Sequence, residues 1–322
     1  MTPEEFTALV AQANLAPSVH NTQPTRWRLN PDGSVLVLED TARRLLVGDP
    51  TGRDAAVSHG AAIEGFALAC AAKGWATTLS PPDASDGVFR TVGRLTLSPT
   101  EPSDSLHDHI RTRRTYRGAF PRADNRSGEL QAGDVTLVSN PDGVGRLAQL
   151  NDEASLRTFR NKAFRAELVS WMRLSRNDPH WALDGLNAEA MAMSPIEAVG
   201  AGIVLKPGLF EFLDSLGAAR LFVAEAPVVR SSQAVALFHR PATESALDTG
   251  RRFYRLWLEF TKLGLSAAPM TVLADDAEAL ATITREFHMP ENRRLITAFR
   301  LGVAPEQKQH PKARLPVSKL VV

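Results

Sequence analysis

The chain has 322 residues, 43 % of them apolar and 23 % charged, with a formal net charge of +1. That length can bury a large core in one domain or two, and the balanced charge gives no electrostatic case for nucleic acid or an anionic membrane as partner. A lone cysteine, Cys70, excludes an internal disulfide and a CxxC metal or redox motif; set in an apolar helical run, it reads as a small buried hydrophobe. The acidic start Met1-Thr2-Pro3-Glu4-Glu5 is unlike a signal peptide. No window of about 18 uncharged apolar residues offers a membrane span, so a cytoplasmic protein is expected.

The first predicted element is a helix from Thr2 or Pro3, with Phe6, Leu9, Val10 and Ala13 as its apolar stripe. It runs into Ala16-Pro17-Ser18-Val19-His20-Asn21-Thr22-Gln23-Pro24, where small and amide side chains crowd a tight bend suited to a flat, polar-edged ligand. Arg26–Leu29 and Val35–Leu38 flank Asn30-Pro31-Asp32-Gly33 and predict a β-hairpin. A long Ala-rich helix follows over Asp54–Lys73, stopped by Gly74. Strands are expected around Ala76–Leu79 and Val88–Leu97, then a short helix leading into Arg111-Thr112-Arg113-Arg114-Thr115-Tyr116-Arg117.

Beyond it come a strand, Asp134–Ser139, and a helix from about Gly145. Residues Ala163–Leu216 read as helical and rich in Met and Trp, broken at Asn177-Asp178-Pro179 and Lys206-Pro207-Gly208. A strand Val235–His239, a helix Thr243–Leu263 and a last strand near Leu295–Val303 complete the core, and the tail beyond Pro305 is polar and basic. A faint repeat is visible. Helix Asp54–Lys73 with Gly74 and the strand containing Phe89-Arg90 echo helix Thr243–Leu263 with Gly264 and the strand Leu295–Leu301.

Arg113, Arg114 and Arg117 with Thr115 put three guanidinium groups and a hydroxyl within five residues, a suitable phosphate grip if the segment opens a helix or sharp turn. Read without further context, the same run is equally a solvated charged face. Near the C-terminus stands a second cationic element, Pro311-Lys312-Ala313-Arg314-Leu315-Pro316. The bend, the Arg cluster and this element together resemble the flavin-binding signature of the FMN-dependent nitroreductase superfamily. Their distribution is similar to that of its internally duplicated, Acg-type branch.

The resemblance implies an α+β, nitroreductase-like fold built twice in one chain: a pseudo-dimer with a first half at 1–110, a second at 111–322 and a helical lid at about 163–216. It implies that Arg113, Thr115, Lys312 and Arg314 hold the FMN phosphate, with Arg114 and Arg117 beside them. Pro17, Ser18, Val19 and Asn21 would edge the ring and ribityl chain. The loop Gly264-Leu265-Ser266-Ala267-Ala268-Pro269 would offer a backbone N–H at Ala267 or Ala268. Where the family commonly has Gln-Pro-Trp, this chain has Gln23-Pro24-Thr25, and Trp27 is the candidate to replace the lost bulk. One copy of each half-site predicts one FMN per chain, in a monomeric pseudo-dimer or a homodimer.

The implied activity is FMN-dependent oxidoreduction, with NAD(P)H or another donor reducing the flavin and a small electron-poor aromatic, a nitro compound or quinone, accepting the electrons. An FMN-storing protein with little turnover, a flavin-dependent dehydrogenase of a specialised metabolite, and a non-flavin interaction protein are the alternatives. No side chain is assigned a catalytic role; His20 reads as a loop histidine before it reads as a proton donor. Two further patterns are set aside. Gly143-Val144-Gly145-Arg146-Leu147-Ala148 fits GxGxxG/A but lacks an acid at the end of a following strand. His107-Asp108-His109 has neither helical ligand spacing nor further ligands, so no metal is expected.

Overall fold

A computed structural model of the chain describes residues 1–81, 88–101, 104–121, 126–305 and 311–322; positions 306–310 of the polar tail lie outside the described residues. Helix α1 (Pro3–Ala13) begins in a capping box, Thr2 accepting from the Glu5 N–H while Glu5 reaches back to Thr2 N–H. The expected hairpin forms as β1 (Thr25–Leu29) and β2 (Val35–Glu39), and α2 (Arg53–Ala71), β3 (Trp75–Ser80) and β4 (Arg90–Pro99) follow. These four strands make one antiparallel sheet in the order β1-β2-β4-β3.

The second half carries β5 (Val135–Val138), α3 (Pro141–Arg160), α4 (Lys162–Trp171), β6 (Met172–Arg173), β7 (Leu186–Asn187), α5 (Pro195–Val204), α6 (Leu209–Ser215), α7 (Arg220–Val223) and α8 (Ala226–Arg230). Then come β8 (Ala234–Pro241), α9 (Ala246–Lys262), β9 (Ser266–Met270), α10 (Val272–Asp275), α11 (Ala277–Glu286) and β10 (Arg293–Gly302). Its sheet runs β5-β8-β10-β9, again antiparallel. The two sheets have the same plan: an edge strand and its inner neighbour, a long helix, a second edge strand, a second inner strand. The chain is α+β and duplicated.

The halves meet where α2 crosses α9, and the crossing is reciprocal. A Cβ on Gly60 would lie 2.0 Å from the Leu247 carbonyl oxygen, and one on Gly250 would lie 2.1 Å from that of Val57. No side chain fits at either position; glycine lets the backbones touch. Around this contact, Trp27 stacks on Phe66 at 5.0 Å in the first half, and Phe253 stacks on Phe299 at 5.3 Å in the second. Trp27 is thus a core residue packed against α2, and it also lines a small cavity with residues of the bend. The C-terminal tail returns to the first half: Trp27 N–H donates to Leu320 O (2.8 Å) and Val322 N–H to Trp27 O (2.9 Å), adding a rung at the free edge of β1.

Other expectations change. Helix α3 starts at Pro141, earlier than Gly145, because Asn140 caps it by accepting from Gly143 N–H; the GxGxxG/A pattern is therefore buried in helical turns. Gly74 and Gly264 both take left-handed φ, +80° and +73°, as helix-ending residues. The Phe-Arg pairs do not correspond, however. Five residues after each glycine, Leu79 faces Leu95 and Pro269 faces Phe299, so Phe299 matches Leu95 and not Phe89. Segment 163–216 is only partly helical, with two parallel two-residue strands and a run of turns between α4 and α5. No described helix is long and apolar enough to cross a membrane.

Candidate functional site

The bend is built from strained backbone. His20, Asn21 and Gln23 have φ of 44°, 54° and 51°, a left-handed conformation costing non-glycine residues roughly 1–2 kcal/mol each. Hydrogen bonds hold two of the three. The Asn21 amide donates to Gly185 O (3.1 Å) and Ala313 O (3.2 Å), and its oxygen accepts from Arg314 Nη1 (2.8 Å). Gln23 donates its backbone N–H to Ser18 Oγ and its amide to Leu183 O, and accepts from Leu315 N–H. Val19 N–H is taken by Ser58 Oγ of α2. Asn21 and Ser18 therefore brace the bend, tying it to the tail and to the segment between β6 and β7.

The cations gather against the end of α1. The Arg314 side chain makes five hydrogen bonds, to Asn14 O, Leu15 O, Ala16 O, Ala313 O and Asn21 Oδ1. Arg113 donates Nη2 to Leu15 O (3.1 Å) and lies over the Trp257 ring at 4.6 Å. Lys312 Nζ donates to Arg111 O (2.9 Å). Helix carbonyls carry partial negative charge, which draws cations to this end. They do not neutralise it: no carboxylate of the described residues pairs with Arg113, Lys312 or Arg314 among the ion pairs. Burial first, and then the neighbouring guanidinium groups, push Lys312 down to about 6 and Arg314 to about 9. Burial also lowers Arg113, which is 3 % exposed.

By distance and angle, Arg113 Nε and Nη1 and the Tyr254 hydroxyl of α9 are buried with no hydrogen-bond partner, although the hydroxyl lies close enough to Arg113 to favour its charge. Unpaired buried donors and charges are costly and rare. A cluster of cations and a hydroxyl short of an acceptor has the chemistry of an anion site. Tyr254 escaped the sequence reading, because nothing local distinguishes it from the other aromatic residues of α9. The duplication gives it a counterpart: four residues beyond the crossing glycines, Tyr254 matches Glu64. Glu64 instead accepts from Arg251 (2.8 Å) and Arg255 (2.6 Å), so at the related position in the other half the guanidinium groups already have a carboxylate partner.

The remaining expected residues divide. Residues 113–117 start no helix and, apart from the bridge at Thr115, have no regular structure. Thr115 bridges Ala267, with Tyr116 N–H donating to Ala267 O (3.0 Å), and Arg114 is half-buried near Lys312. Arg117 stands apart from the phosphate-type cluster, donating to Ala190 O (2.7 Å) in the segment after β7. Ala267 and Ala268 lie in edge strand β9 rather than a loop. Because Ala267 faces residues 115–116, alternation turns the Ala268 N–H toward β10, which withdraws it from any ligand at the outer edge. Pro17 lines a small cavity of about 20 Å³ beneath the bend, together with Ser18, Gln23, Thr25 and Ser58, room for about one water. His107 hydrogen-bonds Gln12 (2.6 Å), and no group of three or more potential metal ligands occurs among the described residues.

No family model matches the chain. "Putative NAD(P)H nitroreductase acg" of Mycobacterium tuberculosis (strain ATCC 25618 / H37Rv) is 24 % identical over 99 % of this chain and 96 % of its own length. "Putative NAD(P)H nitroreductase Rv3131" of the same strain is 34 % identical over 138 residues, 42 % of this chain; the match spans 38 % of that relative's length. Among solved structures, the FMN-dependent nitroreductase NfnB from Mycobacterium smegmatis in complex with NADPH aligns at 18 % identity over 61 % of this chain and 86 % of that one, with a TM-score of 0.36. The likeness to the acg protein thus runs end to end, and the chain is similar to the Acg-named nitroreductases over nearly its whole length.

Proposed function

We propose that the chain binds one FMN and works as an FMN-dependent oxidoreductase, taking electrons from NAD(P)H and delivering them to a small electron-poor aromatic such as a nitro compound or quinone. The observation that carries this reading is the buried Arg113–Lys312–Tyr254 cluster, whose unmet donors call for a phosphate. Arg113, Lys312, Thr115 and Tyr254 would hold that phosphate directly. Arg314, its donors all on protein oxygens, would contribute charge and keep the bend in place, with Arg114 at the rim. Pro17, Ser18, Val19 and Asn21 on one side and the Ala267 edge of β9 on the other would bound the flat part of the cofactor. Arg117 would serve that end rather than the phosphate. When bound, FMN would supply the two-electron chemistry that no side chain here can perform. The chain's own contribution is grip, orientation and exclusion of water.

The lid favours a second reading. Asp184 joins Arg43 (3.0 Å) of the first half to Arg173 (2.9 Å), Leu183 O and Gly185 O accept from the bend, and Arg314 N–H donates to Ala182 O (3.0 Å). Glu167 of α4 accepts from Gly48 N–H (2.7 Å). A lid pinned at so many points would slow exchange and suits a protein that keeps FMN with little turnover. Anaerobic stopped-flow mixing of FMN-loaded protein with NADH and with NADPH separates the two. Flavin bleaching followed by reoxidation with a quinone supports the oxidoreductase; tight FMN with no bleaching by either donor supports retention.

A further inference from the structure

Asn21 and Gln23 are held in their left-handed backbone by side-chain hydrogen bonds; His20, in the same conformation, is not. Its Nδ1 is buried without a partner, and neither ring nitrogen makes a hydrogen bond among the described residues. The charged groups acting on the ring are Glu167 of α4 and Arg117, and the proposed function sets this bend along the flat part of the cofactor. Burial pushes it down to about 4, leaving a neutral ring with one N–H and one lone pair at pH 7. Backbone strain of this kind clusters at functional sites, and here it carries a polar side chain with no hydrogen bond inside an otherwise braced bend.

We propose that His20 is a substrate-binding residue, its neutral imidazole hydrogen-bonding an oxygen of the electron-poor aromatic acceptor. The inference rests on the flavin reading and adds the group that recognises the acceptor. A neutral donor suits nitro and quinone oxygens, which carry partial rather than full charge, and discriminates against acceptors without such an oxygen. Asn21 cannot share this task, since its amide is already committed on both sides.

The test reads binding, not turnover. FMN-loaded protein, with no electron donor present, is titrated with 4-nitroacetophenone and followed by perturbation of the flavin absorbance, alongside FMN affinity and Tm. His20→Gly removes the imidazole and relieves the backbone strain, so Tm holds or rises, FMN affinity stays within about twofold, and the nitro ligand binds about tenfold more weakly, the effect of one neutral hydrogen bond. His20→Asn, which tolerates the left-handed backbone and keeps a donor, falls between wild type and His20→Gly. Unchanged nitro-ligand affinity in His20→Gly overturns the proposal, as does a parallel loss of FMN and Tm, which would make the ring structural. Wild type that binds FMN but no nitro ligand overturns it too, whereas wild type that takes up no FMN contradicts the flavin reading itself.

Discussion

Lys312→Met should change the free and the FMN-loaded protein in opposite directions. The substitution keeps a long apolar stem and removes the ammonium. In the free chain, burial and four neighbouring arginines hold Lys312 near 6, so at pH 7 roughly one molecule in ten is protonated there, while the unfolded chain is fully protonated. Between about pH 6 and 10 the unfolded state therefore binds more protons, and this lysine's penalty on stability shrinks as pH rises through that window. The variant should have a higher Tm than wild type, most clearly at pH 6 and below, and the difference should fade toward pH 10. A phosphate dianion restores the ammonium, so binding to wild type near pH 8 should take up roughly one proton, seen by titration calorimetry in buffers of different ionisation enthalpy. A charge-assisted hydrogen bond of about 1.5–3 kcal/mol is lost in Lys312→Met, weakening FMN about 10- to 150-fold and riboflavin hardly at all. Equal losses for both ligands, or a variant less stable than wild type at pH 6, would refute the reasoning.

The crossing of α2 and α9 predicts that Gly250→Ala, whose Cβ would meet Val57 O at 2.1 Å, lowers stability by about 3 kcal/mol or more. Gly145→Ala in α3, with nothing within 4 Å, should instead gain about 0.5–1 kcal/mol; denaturant titration of both checks the contrast. Asp184→Asn leaves the buried Arg173 and the half-buried Arg43 short of a carboxylate, so hydrogen exchange over 171–187 should speed at least about tenfold, with FMN release faster in step. Burial, then Asp275 and Asp49, raise Asp54 to about 6, so between about pH 4 and 6 the folded state binds the extra proton and stability falls as pH rises. Asp54→Asn should accordingly stabilise by the order of 1–2 kcal/mol above pH 6 and be neutral below pH 4, by thermal melts across pH.

Much of the architecture was legible because local chemistry and tertiary demand agree. Asn30-Pro31-Asp32-Gly33 between alternating apolar residues specifies the hairpin, and Gly74 and Gly264 end their helices in a conformation glycine adopts freely. Strand β9 was not legible. Ser266-Ala267-Ala268-Pro269 has little strand propensity, and its conformation is imposed by β10 on one edge and residues 115–116 on the other. Phe89-Arg90 suggested a repeat unit that pairing register denies, since a repeat detected in letters need not be one in space. At the site, the right segments could be named, but not their division of labour. That Arg314 braces α1 and the bend while Arg113 keeps open donors depends on where three carbonyls end up. Tyr254 acquires its role only when α9 folds beside Arg113.

The central claim is a single phosphate-gripping flavin site completed by both halves of the chain, the related position being closed by Glu64. Purified protein equilibrated with excess FMN, freed of unbound ligand and denatured, should release one FMN per chain, while the same protein treated with riboflavin should release far less. Two FMN per chain, none, or equal retention of riboflavin would contradict it.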